Sequence, residues 1–491
     1  MNWSTVRLVC ALAVFALVLP SAEAATRPQD LDRYVTKYHQ LRQFNGAVLV
    51  ANEKGVIFKK GYGSANFEWQ TPNTPDTKFR LASITKQFTA MVIMQLVAEG
   101  KLGLDDKLTK HLPDYRKDTG DRVTITQLLN HTSGIPSYTS VPTFFPNDSR
   151  DPYTVADFVK KFASGDLQFE PGSKFAYNNS GYFLLGAIIE KVTGKTYAQA
   201  LQERIFAPLG MKGSGYDVYA TVLPKRASGY QLEPDGYVNA AYLDMSLPYA
   251  AGALYSTVED LYLWDRALYT DKLLPAPLKQ RMFTPGLDQY GFGWTIQPIK
   301  LSDDKTELAT IRHSGGINGF STLIVRAPET RELVVLLDNT SRGDKLPELA
   351  TGLFSLLHGL QPPPPRKSMV EVVSAAVAKG PVAEAIATYR TLKATKASEY
   401  DFSESQLNTV GYQLLRTGRT ADAIELFKLN VEMFPAEANP YDSLGEAYLA
   451  SGNEGLALVN YRKALELNPK NSHAAEVIKK LEKPAATKAT P

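Results

Sequence analysis

The sequence predicts an α+β domain, an antiparallel sheet flanked by helices, followed by an all-α domain of helical repeats. Residues 46–63 and 320–339 alternate apolar and polar side chains around short turns, a pattern typical of β-hairpins. Strands at both ends of a domain, with helical segments between them, favour one antiparallel sheet covered by helices. After residue 367 the chain is rich in Ala, Leu, Glu and Lys and is almost wholly helical in pattern.

Three helical patterns lie between the two hairpins. They cover residues 84–99, 181–193 and 257–268, and the first two are closed by Gly100 and Gly194. The first pattern is apolar on nearly every face, which predicts a buried helix.

The first residues of the chain have the pattern of a secretory signal peptide. Arg7 precedes an apolar run from Leu8 to Leu19, and Ala22-Glu23-Ala24 follows as a cleavage site. We expect residues 1–24 to be removed and the protein to be exported to the periplasm or the exterior; an uncleaved anchor is the alternative. No other apolar stretch approaches the roughly 20 residues that a spanning helix needs, so no membrane span is expected after cleavage.

The composition is that of a globular protein without thiol chemistry. The 491 residues are 44% hydrophobic and carry a net charge of +3 with both signs interspersed, which does not favour a nucleic-acid partner. The single cysteine, Cys10, lies in the signal peptide, so the mature chain has neither a disulfide nor a cysteine nucleophile. No cluster of His, Asp and Glu has metal-ligand spacing, and we expect no metal and no cofactor.

Residues 361–367, with the sequence QPPPPRK, mark a domain boundary. Four consecutive prolines favour an extended segment and prevent a helix from continuing. The sequence therefore predicts a first domain over residues 25–360, a linker over 361–367, a helical domain over 368–483 and a flexible tail over 484–491.

The helical domain contains a repeat with a period of 34 residues. The positions that recur are Gly411, Leu415, Gly418, Ala423, Phe427 and Pro435, which return as Gly445, Leu449, Gly452, Ala457, Tyr461 and Pro469. Residues 380–392 are similar in sequence to residues 418–430, which predicts a partial first repeat. The period resembles that of the tetratricopeptide repeat, although two unrelated helical hairpins are the alternative. Such repeats would offer a groove to a peptide or protein partner, or would only steady the first domain.

Ser83 and Lys86 open the buried helix as a Ser-x-x-Lys pattern. Side chains three positions apart lie on one face of a helix. Burial favours a neutral lysine, which can accept the serine proton, and the helix N-terminus stabilises the negative charge that develops. The alternative is that Ser83 caps the helix while Lys86 reaches solvent. A second Ser-x-x-Lys begins at Ser302, but it is polar on all sides and predicts an exposed turn.

Tyr177, Asn178 and Asn179 form a polar turn before an apolar helix. A tyrosine beside a lysine cation can act as a base, and an amide can orient both the lysine and a substrate. The Tyr-x-Asn pattern is weak alone, because it recurs at Tyr237. The alternative is a capping turn in which Asn179 or Ser180 accepts from the first helical amides.

His313, Ser314, Gly315 and Gly316 lie at the end of a predicted strand, directly before the second hairpin. Glycines let a substrate approach the backbone and leave N–H groups free to bind an oxyanion. His313 is the only one of the six histidines in a His-x-Gly pattern. A structural histidine at a turn is the alternative.

Taken in this order, the three patterns resemble the serine β-lactamase and penicillin-binding-protein superfamily, in its class C-like branch. That branch includes class C β-lactamases, DD-peptidases, D-aminopeptidases and family VIII-type esterases, and its motifs are Ser-x-x-Lys, Tyr-x-Asn and Lys- or His-x-Gly. Residues 128–138, 181–197 and 250–264 are similar to the family as well. The resemblance covers residues 30–360 and implies the fold of that family.

The resemblance implies an acyl-enzyme mechanism. Ser83 would attack a carbonyl carbon while Lys86 and Tyr177 move its proton, and the sequence leaves open which of the two is the base. The residues that would bind or orient the substrate are Asn179, His313 and Gly315. The backbone amides that would form the oxyanion hole are those of Ser83 and Gly316.

The third motif departs from dedicated class C β-lactamases and many DD-peptidases, which resemble each other in having Lys-Thr-Gly there. A histidine is mostly neutral near pH 7, so His313 should hold the carboxylate of a β-lactam or a terminal D-Ala less firmly. We expect an exported hydrolase of ester or D-amino-acid-type peptide bonds, with a small molecule or peptide as substrate. A β-lactamase or DD-peptidase is the alternative enzyme, and a scaffold that binds through its repeats is the alternative without catalysis.

Overall fold

The computed structural model of the protein describes residues 27–233 and 236–482. The predicted signal peptide, residues 1–24, and the predicted flexible tail, residues 484–491, lie outside the described residues. Within the two described ranges, no helix has the length and apolar character needed to cross a membrane. The predicted fold class, α+β with a C-terminal helical region, is confirmed.

A six-stranded antiparallel sheet forms the centre of the first domain. Its strands are β1 Gly46–Asn52, β2 Gly55–Tyr62, β3 Thr295–Ile296, β4 Ile311–Ile317, β5 Phe320–Ala327 and β6 Glu332–Asp338. Their order across the sheet is β3-β4-β5-β6-β1-β2. The two ends of the domain meet in the pair of β1 and β6, where Gly46 lies opposite Asp338. The prediction of one sheet built from both ends is therefore confirmed.

Helices of ten or more residues cover this sheet. They are α1 Pro28–Gln40, α2 Thr85–Ala98, α3 Asn179–Thr193, α4 Val258–Ala267 and α5 Leu346–Leu357. The shorter α-helices are Leu108–His111, Lys117–Gly120, Ile125–Leu129, Val155–Phe162, Tyr197–Leu201, Ala207–Leu209, Tyr249–Gly252 and Ala276–Met282. Small strands outside the sheet are Ser64–Asn66, Thr71–Pro72, Phe79–Arg80, Gly215–Tyr216, Tyr230–Glu233, Gly236–Asn239, Leu254–Ser256, Ile299–Lys300 and Glu307–Leu308.

Both faces of the sheet are buried, which explains the nearly continuous apolar runs of β1 and β6. Successive side chains of a strand point to opposite faces. Leu49 and Val335 join a core shared with α2, α3 and α4, whereas Val50 and Val334 join a second core shared with α1 and α5. The sheet is therefore the middle of three layers.

The predicted buried helix is confirmed as α2. Every residue from Thr85 to Leu96 is buried, including Lys86. The second predicted helix is α3, which ends at Gly194 with a φ of 67°, and the third is α4. The core of the domain is thus built around a helix that has almost no exposed face.

The C-terminal region is helical throughout most of its length. Its helices are α6 Met369–Lys379, α7 Val382–Thr395, α8 Glu404–Arg416, α9 Thr420–Met433, α10 Ala438–Ala450, α11 Glu454–Leu467 and α12 Ser472–Leu481. The hairpin of α8 and α9 recurs as α10 and α11, whose first residues lie 34 positions later in the chain. The assignment of these hairpins to the tetratricopeptide repeat, and the domain boundaries, stay predictions.

Contacts join the helical region to the first domain in addition to the linker. Lys345 Nζ lies 2.8 Å from the Asp401 carboxylate, and both side chains are nearly buried. Arg42 and Arg342 both pair with Glu371 of α6. Breaking the buried pair of Lys345 and Asp401 would leave an uncompensated charge, so this contact restricts how the helical region sits on the first domain.

The hairpin of α8 and α9 depends on a close approach at Gly411. A Cβ there would lie 2.4 Å from the Phe427 ring, so we expect Gly411→Ala to destabilise the helical region by about 1–3 kcal/mol through overpacking. Gly455 of α11 is the matched control: it is exposed, a Cβ would find its nearest atom at 3.8 Å, and alanine has the higher helix propensity. Thermal unfolding followed by circular dichroism measures the change in stability caused by each substitution. Equal effects of the two substitutions would contradict close packing at Gly411.

Candidate active site

Ser83 lies in a 3₁₀ turn, Ala82–Ile84, that leads directly into α2. Ala82 has a φ of 49°, a left-handed conformation that costs energy for any residue except glycine. The turn is held from the sheet side, because the Thr322 hydroxyl of β5 donates to the Leu81 carbonyl at 2.8 Å. No side chain caps this helix terminus, so Ser83 does not act as the cap.

The amine of Lys86 lies among three oxygen atoms. Its Nζ is 2.8 Å from Asn179 Oδ1, 2.8 Å from the Ala251 carbonyl oxygen and 3.1 Å from Ser83 Oγ. The first two oxygens can only accept, so a neutral amine donates both hydrogens to them and directs its lone pair at the hydroxyl. Burial lowers the pKa of Lys86 well below its ordinary value, which favours this neutral form. Lys86 is therefore arranged to accept the proton of Ser83.

The turn before α3 is held by Asn178 and His131. Asn178 Oδ1 accepts a hydrogen bond from the backbone N–H of Gly181 at 2.8 Å, and the backbone N–H of Asn178 donates to His131 Nδ1 at 3.1 Å. Sequence analysis allowed Asn179 or Ser180 as the cap, but the structure assigns this role to Asn178. Asn179 is thereby free to point elsewhere.

Asn179 is oriented by two hydroxyl groups. Its Nδ2 donates to Thr139 Oγ1 at 3.0 Å, and its backbone amide donates to Ser137 Oγ at 3.1 Å. Because the amide nitrogen is engaged by Thr139, the oxygen faces Lys86. The Tyr-x-Asn turn thus supplies one of the two acceptors that align the lysine.

Tyr177 covers Lys86 on the side of the cleft. Its ring centroid lies 4.8 Å from Lys86 Nζ, and 40% of the residue is exposed. Burial around the hydroxyl raises the pKa of Tyr177 above its ordinary value, although the neighbouring Ser83 hydroxyl acts in the opposite direction. The phenol therefore keeps its proton at neutral pH. The geometry favours Lys86 as the first proton acceptor and Tyr177 as a proton donor.

His313 is buried in β4 and already has two hydrogen-bond partners. Its Nδ1 lies 2.6 Å from the Ser314 carbonyl oxygen, which can only accept, so Nδ1 carries the hydrogen. Its Nε2 lies 2.8 Å from the Tyr290 hydroxyl and therefore accepts. Burial lowers the pKa of His313 to about 3, so the imidazole is neutral and offers no cation to a substrate. It positions Tyr290 instead.

Gly315 and Gly316 of β4 face opposite directions beside Ser83. A Cβ on Gly315 would lie 2.2 Å from the Leu81 carbonyl oxygen, so only glycine allows the strand and the turn to approach so closely. A Cβ on Gly316 would meet no atom within 4 Å. The backbone of Gly316 is consequently open to a ligand.

Two cavities meet at Ser83 and Gly316. Cavity A has a volume of about 350 Å³ and no charged side chain among its described lining residues, and its larger apolar members are Tyr138, Phe144, Phe145, Leu243, Leu247 and Pro248. Cavity B has a volume of about 530 Å³ and is also lined by Phe175, Tyr177, Asp288, Gln289, Tyr290, Thr295, Gln297, His313 and Ser314. The serine hydroxyl therefore lies where two separate parts of a substrate can diverge.

Of the residues selected from the sequence, five line the two cavities: Ser83, Tyr177, Asn179, His313 and Gly316. Lys86 lies behind them within hydrogen-bond distance of Ser83, and Gly315 packs against the turn that carries Ser83. Sequence analysis missed Tyr290 and His131 as parts of the site. His131 lies in the segment 128–138 that resembles the family, but Tyr290 belongs to no pattern. In the part of the chain that the structure describes, no group of His, Cys, Asp and Glu side chains is placed to hold a metal ion.

A family model described as Beta-lactamase matches residues 31–356, which is more than half of the chain. The chain belongs to the β-lactamase family. Penicillin-binding protein 4* of Bacillus subtilis (strain 168) is 35% identical over 327 residues, which cover 60% of this chain and 68% of that protein. The match of the β-lactamase family ends before the helical region begins.

Solved structures of the same family have the fold of the first domain. The octameric penicillin-binding protein homologue from Pyrococcus abyssi aligns with a TM-score of 0.59 and 30% identity, over 70% of this chain and 81% of its own. The D-amino acid amidase from Ochrobactrum anthropi SV3 aligns with a TM-score of 0.57 and 27% identity, over 67% of this chain and 99% of its own. The protein is a serine hydrolase of the β-lactamase and penicillin-binding-protein superfamily.

The acidic limb of the pH–rate profile should report the protonation of Lys86, because only the neutral amine accepts the serine proton. Asn179→Asp places a carboxylate where Oδ1 lies 2.8 Å from Nζ and so raises the pKa of Lys86. We expect the acidic limb of kcat/KM to move to a pH higher by about 1–3. Ester hydrolysis from pH 4 to 10 measures this.

The matched control for this prediction is Asn179→Ala, which removes the same acceptor without adding charge. It should lower kcat/KM without moving the acidic limb upward. An unmoved limb in Asn179→Asp would rule out a neutral Lys86 as the base.

Proposed function

We propose that the protein is an exported hydrolase of ester or D-amino-acid-type peptide bonds that works through an acyl-enzyme on Ser83. The observation that carries this proposal is the arrangement of Lys86, whose two hydrogens have acceptors and whose lone pair faces Ser83 Oγ. A general base of this kind contributes about 10²–10⁴-fold to a rate. Similarity to the Ochrobactrum amidase supports a D-amino-acid-type substrate.

In acylation, Lys86 takes the hydroxyl proton as Ser83 Oγ bonds to the carbonyl carbon. The oxyanion forms between the backbone amides of Ser83 and Gly316, beside which there is open space. Tyr177 gives its proton to the departing oxygen or nitrogen and is reprotonated from Lys86, which lies under its ring. Water then attacks the ester of Ser83, and the same groups return its proton to Oγ.

The two cavities would receive the two halves of the substrate. Tyr177 borders cavity B and not cavity A, so the leaving group that it protonates occupies cavity B. The acyl group then occupies cavity A, where the lining is uncharged and Phe144, Leu243 and Leu247 favour an apolar group. The expected substrate has an acyl part with an apolar side chain.

A β-lactamase or DD-peptidase is the second candidate, favoured by similarity to Penicillin-binding protein 4*. It ranks lower because the carboxylate of these substrates lies close to the scissile bond. The third motif supplies neutral His313 there, already occupied by Tyr290.

A scaffold that binds a partner peptide or protein through its helical region is the candidate without catalysis. It requires no reactive serine, so a fluorophosphonate probe separates the two. Labelling of Ser83 in the wild-type protein supports the enzyme. A folded protein that takes up no label supports the scaffold.

Ser83→Ala should abolish hydrolysis of p-nitrophenyl esters and labelling by the probe. Tyr177→Phe should lower kcat by about 10²–10⁴-fold, because the ring remains but the proton donor is lost. Ser302→Ala is the matched control, since Ser302 begins the other Ser-x-x-Lys, in a turn distant from Lys86 in sequence. Ser302→Ala should retain wild-type rates. Residual turnover by Ser83→Ala at the wild-type level would exclude Ser83 as the nucleophile.

A substrate panel should rank the candidate activities. We expect short-chain p-nitrophenyl esters and D-amino-acid amides to be cleaved with higher kcat/KM than D-Ala-D-Ala peptides and a chromogenic cephalosporin, because the described residues place no cation beside the scissile bond. Steady-state kinetics with each substrate at one pH measures the ranking. A cephalosporin that is cleaved faster than every ester and amide would reverse it.

A further inference from the structure

Arg312, on β4 next to His313, has no acidic partner. Every other arginine of the described residues that is at least partly buried pairs with a carboxylate; these are Arg80, Arg116, Arg204, Arg226, Arg266, Arg326, Arg342 and Arg419. The described residues place no carboxylate within salt-bridge distance of Arg312, and its only side-chain hydrogen bond is from Nη2 to Gln297 Oε1 at 2.9 Å. Partial burial lowers the pKa of Arg312, and no acidic neighbour offsets this effect.

The strand register places Arg312 next to residues that line cavity B. Side chains at positions 312, 314 and 316 of β4 share one face, and Ser314 and Gly316 both line the cavity. Thr295 of β3 lies directly opposite Arg312, and opposite residues of an antiparallel pair point to the same face. Thr295 lines cavity B, as does Gln297, which accepts the hydrogen bond from Arg312. The guanidinium is therefore held beside the cavity by one of its lining residues.

Arg312 is distant from the reacting atoms. It precedes Gly316 by four residues, which corresponds to about 13 Å along a strand. An anion that it binds therefore lies beyond the scissile bond, in the part of cavity B that receives the leaving group. Asp288 is the charged side chain among the described lining residues of cavity B, and it is exposed and has no ion pair within the described chain.

We propose that Arg312 and Gln297 form a subsite for a carboxylate at the distal end of the leaving group. This inference rests on the proposed function, because it takes the leaving group to occupy cavity B. A guanidinium presents a planar pair of N–H donors that matches a carboxylate, and Gln297 leaves the remaining donors of Arg312 unoccupied. The substrate would then combine an apolar acyl part with an acidic, extended leaving group, as in a peptide cut two residues before its C-terminus.

Two esters that differ only in charge test this subsite. They are the butyrate esters of p-hydroxyphenylpropionic acid and of p-hydroxyphenylpropionamide, whose leaving groups have the same shape. We expect wild-type protein to prefer the acid by about tenfold in kcat/KM, as a charge-assisted hydrogen bond provides. Arg312→Gln, which can keep the bond to Gln297, should reduce this preference to about one. Arg312→Lys should retain part of it.

Arg416→Gln is the charge-matched control, because Arg416 lies exposed at the end of α8 and has no ion-pair partner among the described residues. It should keep the wild-type preference. An equal kcat/KM for the two esters in wild-type protein would overturn the proposal. An Arg312→Gln protein that loses activity equally on both esters would also overturn the proposal, because Arg312 would then serve only to support Gln297.

Binding to Ser83→Ala protein tests the subsite independently of turnover. Titration calorimetry should show tighter binding of the acid ester than of the amide ester, and the difference should vanish when Arg312→Gln is added. Absence of a difference refutes the subsite even if Ser83 proves to be the nucleophile. Its presence supports the subsite even if the protein hydrolyses neither ester.

Discussion

The burial of one lysine amine is the constraint on which the rest of the site depends. Lys86 lies on a helix with almost no exposed face, where a charged amine would lose its hydration without gaining a counter-ion. The neutral amine suits this position because Asn179 and Ala251 accept both of its hydrogens. The lone pair that remains faces Ser83. Because burial keeps the amine neutral, Lys86 is suited to act as the proposed base at neutral pH.

The sheet positions Ser83, the proposed nucleophile, through a close approach of backbone to backbone. β4 meets the turn before α2 at Gly315, whose missing side chain leaves room for the Leu81 carbonyl. The same carbonyl accepts from Thr322 of β5, so two neighbouring strands hold the strained Ala82 and present Ser83. Because β4 also exposes the Gly316 backbone, one strand edge supplies both the support of the nucleophile and the proposed oxyanion site.

The charge distribution along the cleft bears on the proposed substrate. Next to the scissile bond the third motif supplies neutral His313, whose two nitrogens are satisfied by the Ser314 carbonyl and the Tyr290 hydroxyl. Arg312 of the same strand has no acidic partner among the described residues, points to the opposite face from His313 and lies further from Ser83. The proposed substrate, whose negative charge is distant from its carbonyl, is consistent with this arrangement.

The sequence by itself determined what depends on local spacing. Strand and helix periods predicted the sheet from both chain ends and the buried helix α2, and a separation of three residues on that helix placed Ser83 beside Lys86. The sequence predicted a neutral His313. It did not predict the tautomer of His313 or its hydrogen bond with the Tyr290 hydroxyl, because the loop of Tyr290 has no periodic signal. Only the tertiary structure decided which acceptors align Lys86 and which partly buried arginine lacks an acidic partner among the described residues. These depend on packing between segments that are distant in the chain, and local propensities do not encode how such segments meet.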